Sequence, residues 1–295
     1  MARCTWRLSL MALLLFCEKN KSITRVSAAL DFKIVPGSEI ELKEAQTQLI
    51  IKEKLEHELK VAREVQASLL LHTVPHLPGW EFAAHWQPAR EVAGDFYDFM
   101  AGKPGQLGVV IADVADKGMP SALFMALSRS ILRASMATAA LPTDGLAQAN
   151  RLICDDSSES MFVTLCYALL DTSTGSLTYL NAGHNPPLLC RAAFDQTEWL
   201  THTGMPLGID GEATFEQRTL KLDPGDCVVF YTDGVPDAVS DRDEDFGAER
   251  LRQTIRENRR ATPAEMLTSL KLALKEFVGD SAPADDIAVV IVKRL

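Results

Sequence analysis

Past Gly79 the chain breaks into short β-rich runs separated by turn residues, and this spacing limits the fold more than any other feature. The runs are Trp80 to Trp86, Leu107 to Asp113, Phe162 to Asp171, Leu177 to Asn181, Cys227 to Asp233 and Ile287 to Val292. The stretch from Asp171 to Gly175, between two of them, carries a hairpin signal. Helical stretches fall at 120–139, 143–154, 247–259 and 263–278, grouped rather than placed after every strand. A parallel βαβ sheet needs a crossover helix between successive strands. Strands in meander order with grouped helices therefore predict an α+β fold of stacked layers. With 47% apolar and 24% charged residues among 295, a well-buried core is available.

Ahead of this region, residues 39–71 contain neither Gly nor Pro and read as one helix. Leu42, Ala45 and Leu49, then Leu55, Leu59, Ala62 and Leu69, recur at three- and four-residue steps among Glu, Lys and Gln. So narrow a stripe suits a homodimeric coiled-coil seam, and equally a helix packed on its own domain. The stripe slips between Leu49 and Leu55. Pro75, Pro78 and Gly79 stop the helix. The expected division is an N-terminal segment at 1–38, a helical linker at 39–74 and a single larger domain at 75–295. In the first of these, Leu8 to Cys17 is apolar and follows Arg3 and Arg7. It is shorter than the roughly 20 residues that span a membrane. It resembles a signal-peptide core, but Glu18, Lys19 and Lys21 follow at once. Export, a buried helix, a weak membrane tether and a misplaced start codon stay open for it.

The net charge of -10 opposes nucleic-acid binding, because phosphate backbones select Lys and Arg surfaces. None of the six cysteines, Cys4, Cys17, Cys154, Cys166, Cys190 and Cys227, pairs at CxxC spacing. Scattered in apolar runs, they read as reduced core thiols of a cytoplasmic protein rather than zinc ligands.

Aspartates stand where apolar strands meet turns. Asp95 follows Gly94, Asp113 closes one strand, Asp233 closes another before Gly234, and Asp285 and Asp286 open the last. Any one of them taken alone reads first as a turn residue rather than a ligand. If they converge, their charges repel unless a cation sits between them. Oxygen ligands without Cys or His favour Mg²⁺ or Mn²⁺.

The order of local motifs adds a resemblance. REVQASLL, AGDFYDF, IADVADKGMPSALFM, MFVTLCYALLD, LNAGHNPPLL, GMPLGI, GDCVVFYTDGVPDA, FGAERL and DDIAVVIVKR follow one another from about residue 61 to the end. This stretch resembles the PPM-type metal-dependent phosphatases, in their RsbU/SpoIIE-like branch. The resemblance implies an αββα sandwich, two antiparallel sheets flanked by helices, as the catalytic domain. It implies two Mn²⁺ or Mg²⁺ ions bridged by Asp113, with Asp233 and Asp285 on the first, and Asp95 and the backbone carbonyl of Val114 on the second. Asp113 and Asp233 are then the catalytic pair, and Asp286 is the lesser of its dipeptide. A metal-activated water attacks phosphorus in line with the seryl oxygen. The activity implied is a protein serine/threonine phosphatase. Its substrate would be a phosphorylated regulatory protein such as an anti-sigma-factor antagonist. A catalytically inactive regulator that binds such a partner, and a hydrolase of small phosphate esters, are the alternatives.

Some positions depart from the pattern. Ala115 stands where many members carry a His proposed as general acid. Arg90, five residues before Asp95, is a candidate for the phosphate-binding arginine. Lys117 reads as a phosphate contact or a solvated lysine. His184 reads as a hydrogen-bonding turn residue rather than an acid. The Met residues of the apolar helix Met119 to Met136 read as core.

Overall fold

A computed structural model describes residues 38–295, apart from 71–72, 157–160, 194–195, 280 and 282. The segment Leu8 to Cys17, with Cys4 and Cys17, lies outside the described residues. The chain divides into two compact units, Met1–His57 and Glu58–Leu295. The division falls inside the first described helix, α1 (Ser38–Leu69), rather than at the prolines that follow it.

Ten strands make two antiparallel sheets. One orders β1 (Trp80–Gln87), β10 (Ile287–Arg294), β9 (Cys227–Tyr231), β6 (Leu188–Arg191) and β7 (Gln196–Trp199). The other orders β2 (Phe96–Ala101), β3 (Gln106–Val114), β4 (Val163–Asp171), β5 (Ser176–Ala182) and β8 (Arg218–Lys221). Helices α2 (Met119–Thr138) and α3 (Pro142–Asp156) cover the second sheet. Helices α4 (Gly247–Glu257) and α5 (Pro263–Val278) cover the first. The layers are those of an αββα sandwich.

The two-residue side-chain period explains the layering. In β3, Leu107, Val109 and Ile111 join the core between the sheets, while Val110, Ala112 and Val114 pack under α2 and α3. In β10, Ala288, Val290 and Val292 point to the first core and Ile287, Val289 and Ile291 to the helices α4 and α5. Both faces are buried, so these strands read as unbroken apolar runs instead of alternating ones.

Four strands have no counterpart among the expected runs. β7 and β8 close the two sheets with polar, largely exposed four-residue segments that carry no hydrophobic signal. β6 is also four residues long, and β2 overlaps the AGDFYDF motif that reads first as a turn. Asp233 is not the end of a strand, because β9 stops at Tyr231 and a turn begins. In α2, Met125 is fully buried but Met119 is 42% exposed, so not every methionine of that helix is core. Cys154, Cys166, Cys190 and Cys227 are not in disulfides. Among the described residues no helix is long and apolar enough to cross a membrane.

The linker helix divides by environment. Within the second unit, Leu59, Ala62 and Leu69 are half-buried, while Gln66 and the following Leu70 are buried. That face packs intramolecularly. Leu49 and Leu55 of the same stripe are exposed.

Candidate active site

The site forms at one end of the sandwich, where strand ends of both sheets meet. Asp95 stands just before β2, and Asp113 and Val114 end β3 in one sheet. Asp233 lies two residues past β9, and Asp285 two before β10, in the other. Four distant segments thus deliver carboxylates to one place, near enough to act on each other's charge.

Their electrostatics record that closeness. Burial, then the Asp113 charge, pushes the Asp95 carboxyl well above the usual range. Burial, then Asp233, pushes Asp113 up to about 7. Burial, then Asp285, raises Asp233. Asp95 is only 2% exposed, and its Oδ2 has no hydrogen-bond partner. A buried carboxylate oxygen left unpaired is costly unless something else supplies positive charge.

Backbone geometry sets the positions. The Ala89 and Gly94 amides donate to Asp286 Oδ1 and Oδ2 at 2.7 and 2.9 Å. Asp286 therefore clamps the loop that presents Asp95, and both its oxygens are engaged in doing so. Gln66 of α1 exchanges two hydrogen bonds with the Ala93 backbone, donating at 2.6 Å and accepting at 3.0 Å. Trp86 Nε1 donates to the Asp95 carbonyl at 2.9 Å. Gly234 has no room for a Cβ, which would collide with the Asp286 carbonyl oxygen. That close approach brings the Asp233 turn against the start of β10. A Cβ on Gly94 would come within 3.0 Å of the Val114 carbonyl oxygen, so the two chain segments touch there. From β3 the chain reaches α2 through Asp116 and Gly118 at φ 80° and 86°. A positive φ at a non-glycine residue is strain of the kind found at functional sites.

Lys117 Nζ lies 2.6 Å from Asp285 Oδ2. It stays exposed, as a surface lysine would, and adds a counter-charge at the edge of the cluster. Arg90 is exposed and near enough for its charge to act on Lys117. His184 is buried, its Nδ1 sits 2.8 Å from Thr164 Oγ1 and its backbone N–H donates to Asn181 Oδ1 at 2.8 Å. Burial lowers its imidazole to about 3, so it stays neutral and shapes the turn, as its sequence context predicts.

Among the described residues, no group of three or more His, Cys, Asp or Glu side chains is placed as it stands to hold a metal ion. Asp285 is engaged by Lys117, which leaves the cluster open on that side. The donors still fit hard divalent cations. They are all oxygen, they repel one another, and the Asp95 oxygen is unpartnered. Three supporting residues carry no sequence signal of their supporting role. Gln66, Asp286 and Gly234 act through backbone contacts with partners distant in the chain, which spacing does not reveal.

Comparison with known proteins settles the family. Residues 103–295 match the family model of stage II sporulation protein E, SpoIIE. The chain belongs to the SpoIIE family of PP2C-type phosphatases. It is 34% identical to protein IcfG of Synechocystis over 265 residues, which cover 80% of this chain and 41% of IcfG. The chain therefore spans less than half of that relative. It is 29% identical to the phosphoserine phosphatase RsbU of Bacillus subtilis over 270 residues, 90% of this chain and 79% of RsbU. The fold matches the SiaA PP2C domain of Pseudomonas aeruginosa with a TM-score of 0.72 at 20% identity. That superposition covers 83% of this chain and 98% of the SiaA domain. The SpoIIE-family match includes β3, β9 and β10, and with them Asp113, Asp233 and Asp285.

Proposed function

We propose that this chain is a divalent-cation-dependent protein serine/threonine phosphatase that removes phosphate from a seryl or threonyl residue of a regulatory protein. The observation that carries the reading is the convergence of Asp95, Asp113, Asp233 and Asp285 from four strand ends, with a buried Asp95 oxygen left unpartnered. RsbU, which aligns over most of this chain, is named a phosphoserine phosphatase, and SpoIIE-family enzymes are metal-dependent.

In this reading two Mn²⁺ or Mg²⁺ ions are held by Asp113 as the shared ligand. Asp233 and Asp285 complete one site, and Asp95 and the Val114 carbonyl the other. Bound cations supply Lewis acidity and an activated water. The chain's own residues hold the geometry. Asp286 fixes the Asp95 loop, and Gly234 lets the Asp233 turn lie flush against β10. Lys117 offsets negative charge at Asp285. Ala115 has no proton to give, so it does not act on the leaving oxygen.

The protein substrate is a small regulatory phosphoprotein of the anti-sigma-factor-antagonist kind. With Mn²⁺, the chain is expected to release phosphate from such a phosphoprotein far faster than from p-nitrophenyl phosphate. Equal kcat/KM for the two would favour a small-ester hydrolase. Binding of the phosphoprotein without turnover would favour an inactive regulator.

Dimerisation through α1 belongs to the same proposal. Leu49 and Leu55 of the stripe are each more than half exposed on a long helix, at 53% and 55%. An apolar seam of this kind is stabilised by a second helix. The full chain is expected to be a dimer in light scattering. A chain beginning at Glu58, which keeps Gln66 and Leu70 in place, is expected to be a monomer. The same mass per particle for both would remove the seam.

A further inference from the structure

Beside the carboxylate cluster lies a groove of about 460 Å³, between α5 and the sheet it covers. Leu267, Leu270 and Leu274 of α5 and Ala238, Ile287 and Val289, all buried members of one core cluster, form its floor, and Leu272 of α5 is its most exposed large apolar member. Gly234 and Ala284 also line it. These are the chain neighbours of Asp233 and Asp285, and Ile287 follows Asp286. The groove therefore starts where the candidate catalytic cluster ends. Among the described residues its polar members are His85 and Gln87 of β1, Thr268, Lys271 and Lys275 of α5, and Ser281. Burial, then the Lys271 charge, holds His85 below its usual range, so the lysines bring the positive charge.

The groove is of the size that ordinarily seats a ligand. It is apolar along its floor, cationic at its rim, and set in a chain of net charge -10. A phosphoryl group held by the cluster places the residues on either side of it at the groove's lip. An extended chain advances about 3.3 Å per residue, so an apolar side chain within about four residues of the phosphorylated position reaches between α5 and the sheet.

We propose that this groove seats the segment of the protein substrate flanking the phosphorylated residue, with an apolar side chain between α5 and the sheet and an acidic residue against Lys271. The inference rests on the phosphatase reading above. It assigns recognition of the protein to a surface separate from the groups that act on the phosphoryl.

The test uses the full chain with Mn²⁺ and a panel of phosphoserine nonapeptides. A single leucine is moved through the four positions on either side in an otherwise alanine background. One flanking position is expected to lower KM about tenfold or more, the scale on which a fitted apolar contact discriminates. Thr268→Trp, on the exposed groove edge of α5, is expected to erase that preference. Hydrolysis of p-nitrophenyl phosphate and of the all-alanine peptide should be unchanged in this variant. If Thr268→Trp does not fold, Lys271→Glu supplies the second reading on a matching panel in which a single glutamate is moved through the same positions, raising KM only at the position that glutamate favours in the wild type. A flat panel, with the alanine peptide still hydrolysed, overturns the groove and leaves the phosphatase reading standing. A flat panel together with a changed particle mass for Thr268→Trp overturns it in favour of a contact between two copies. If neither p-nitrophenyl phosphate nor any peptide is hydrolysed, the phosphatase reading fails and the groove proposal with it.

Discussion

Asp113→Asn is expected to lose at least about a thousandfold in kcat, close to abolition, because the change costs the shared ligand of both proposed cations. That loss corresponds to about 4 kcal/mol of transition-state stabilisation. The substitution is nearly isosteric and Asp113 ends a strand paired along its length with β4, so the fold should survive. Asp286→Asn is expected to lose only about 10- to 100-fold, the range seen for groups that position ligands. Its carboxylate accepts the Ala89 and Gly94 amides, and an Asn oxygen replaces only part of that clamp. Steady-state assays of both variants on one phosphopeptide check the ranking. An Asp286→Asn loss as deep as that of Asp113→Asn would place Asp286 among the ligands instead.

The second large effect is on stability. Asp95, Asp113, Asp233 and Asp286 all have folded-state values raised above those of free Asp. A raised folded-state value means that the native metal-free protein holds protons the unfolded chain has released. Stability is then fully present below the unfolded value and falls as pH rises through the window up to the raised one. With Asp113 at about 7, that window runs from about pH 4 to about pH 7. The loss is on the order of a few kcal/mol, since each pH unit of displacement is worth about 1.4 kcal/mol. Mn²⁺ is expected to bind the charged native cluster and to reverse the loss. A free concentration a hundred times the dissociation constant adds about 2.7 kcal/mol. For a chain of this size that is roughly 5–10 °C in melting temperature. Asp113→Asn should melt at or above wild type in chelator and gain little from Mn²⁺. Ordinary turn caps behave oppositely, since losing one costs about 0.5–2 kcal/mol and metal changes nothing. Thermal melts at pH 5 and pH 8, with chelator and with Mn²⁺, separate the two.

The α+β layering could be read in advance because its central strands are buried on both faces, whereas the αββα sandwich followed only from the resemblance. β3, β4, β9 and β10 appear in the sequence as unbroken apolar runs, and the grouped helices exclude a parallel sheet. The edge strands β7 and β8 could not, because half-exposed polar residues carry no periodic signal. The site was half readable. Asp113, with an apolar strand behind it and a turn ahead, is visible as a candidate from its neighbours alone. The clamp that holds Asp95 is not, because the Gln66 side chain bonds the Ala93 backbone and the Asp286 carboxylate accepts the Gly94 amide across long sequence separations. The close packing of Gly234 on Asp286 depends on the meeting of two segments and looks in the sequence like any Asp-Gly turn. Lys117 was ambiguous for a related reason, since its partner Asp285 lies 168 residues further on.

The central claim is that four aspartates from four strand ends make one two-cation site. Calorimetric titration of Mn²⁺ into the metal-free chain tests it most directly. Two ions per chain are predicted for the wild type, and neither tight site for Asp113→Asn. No saturable Mn²⁺ binding to the folded wild type, or two ions still bound by Asp113→Asn, would contradict it.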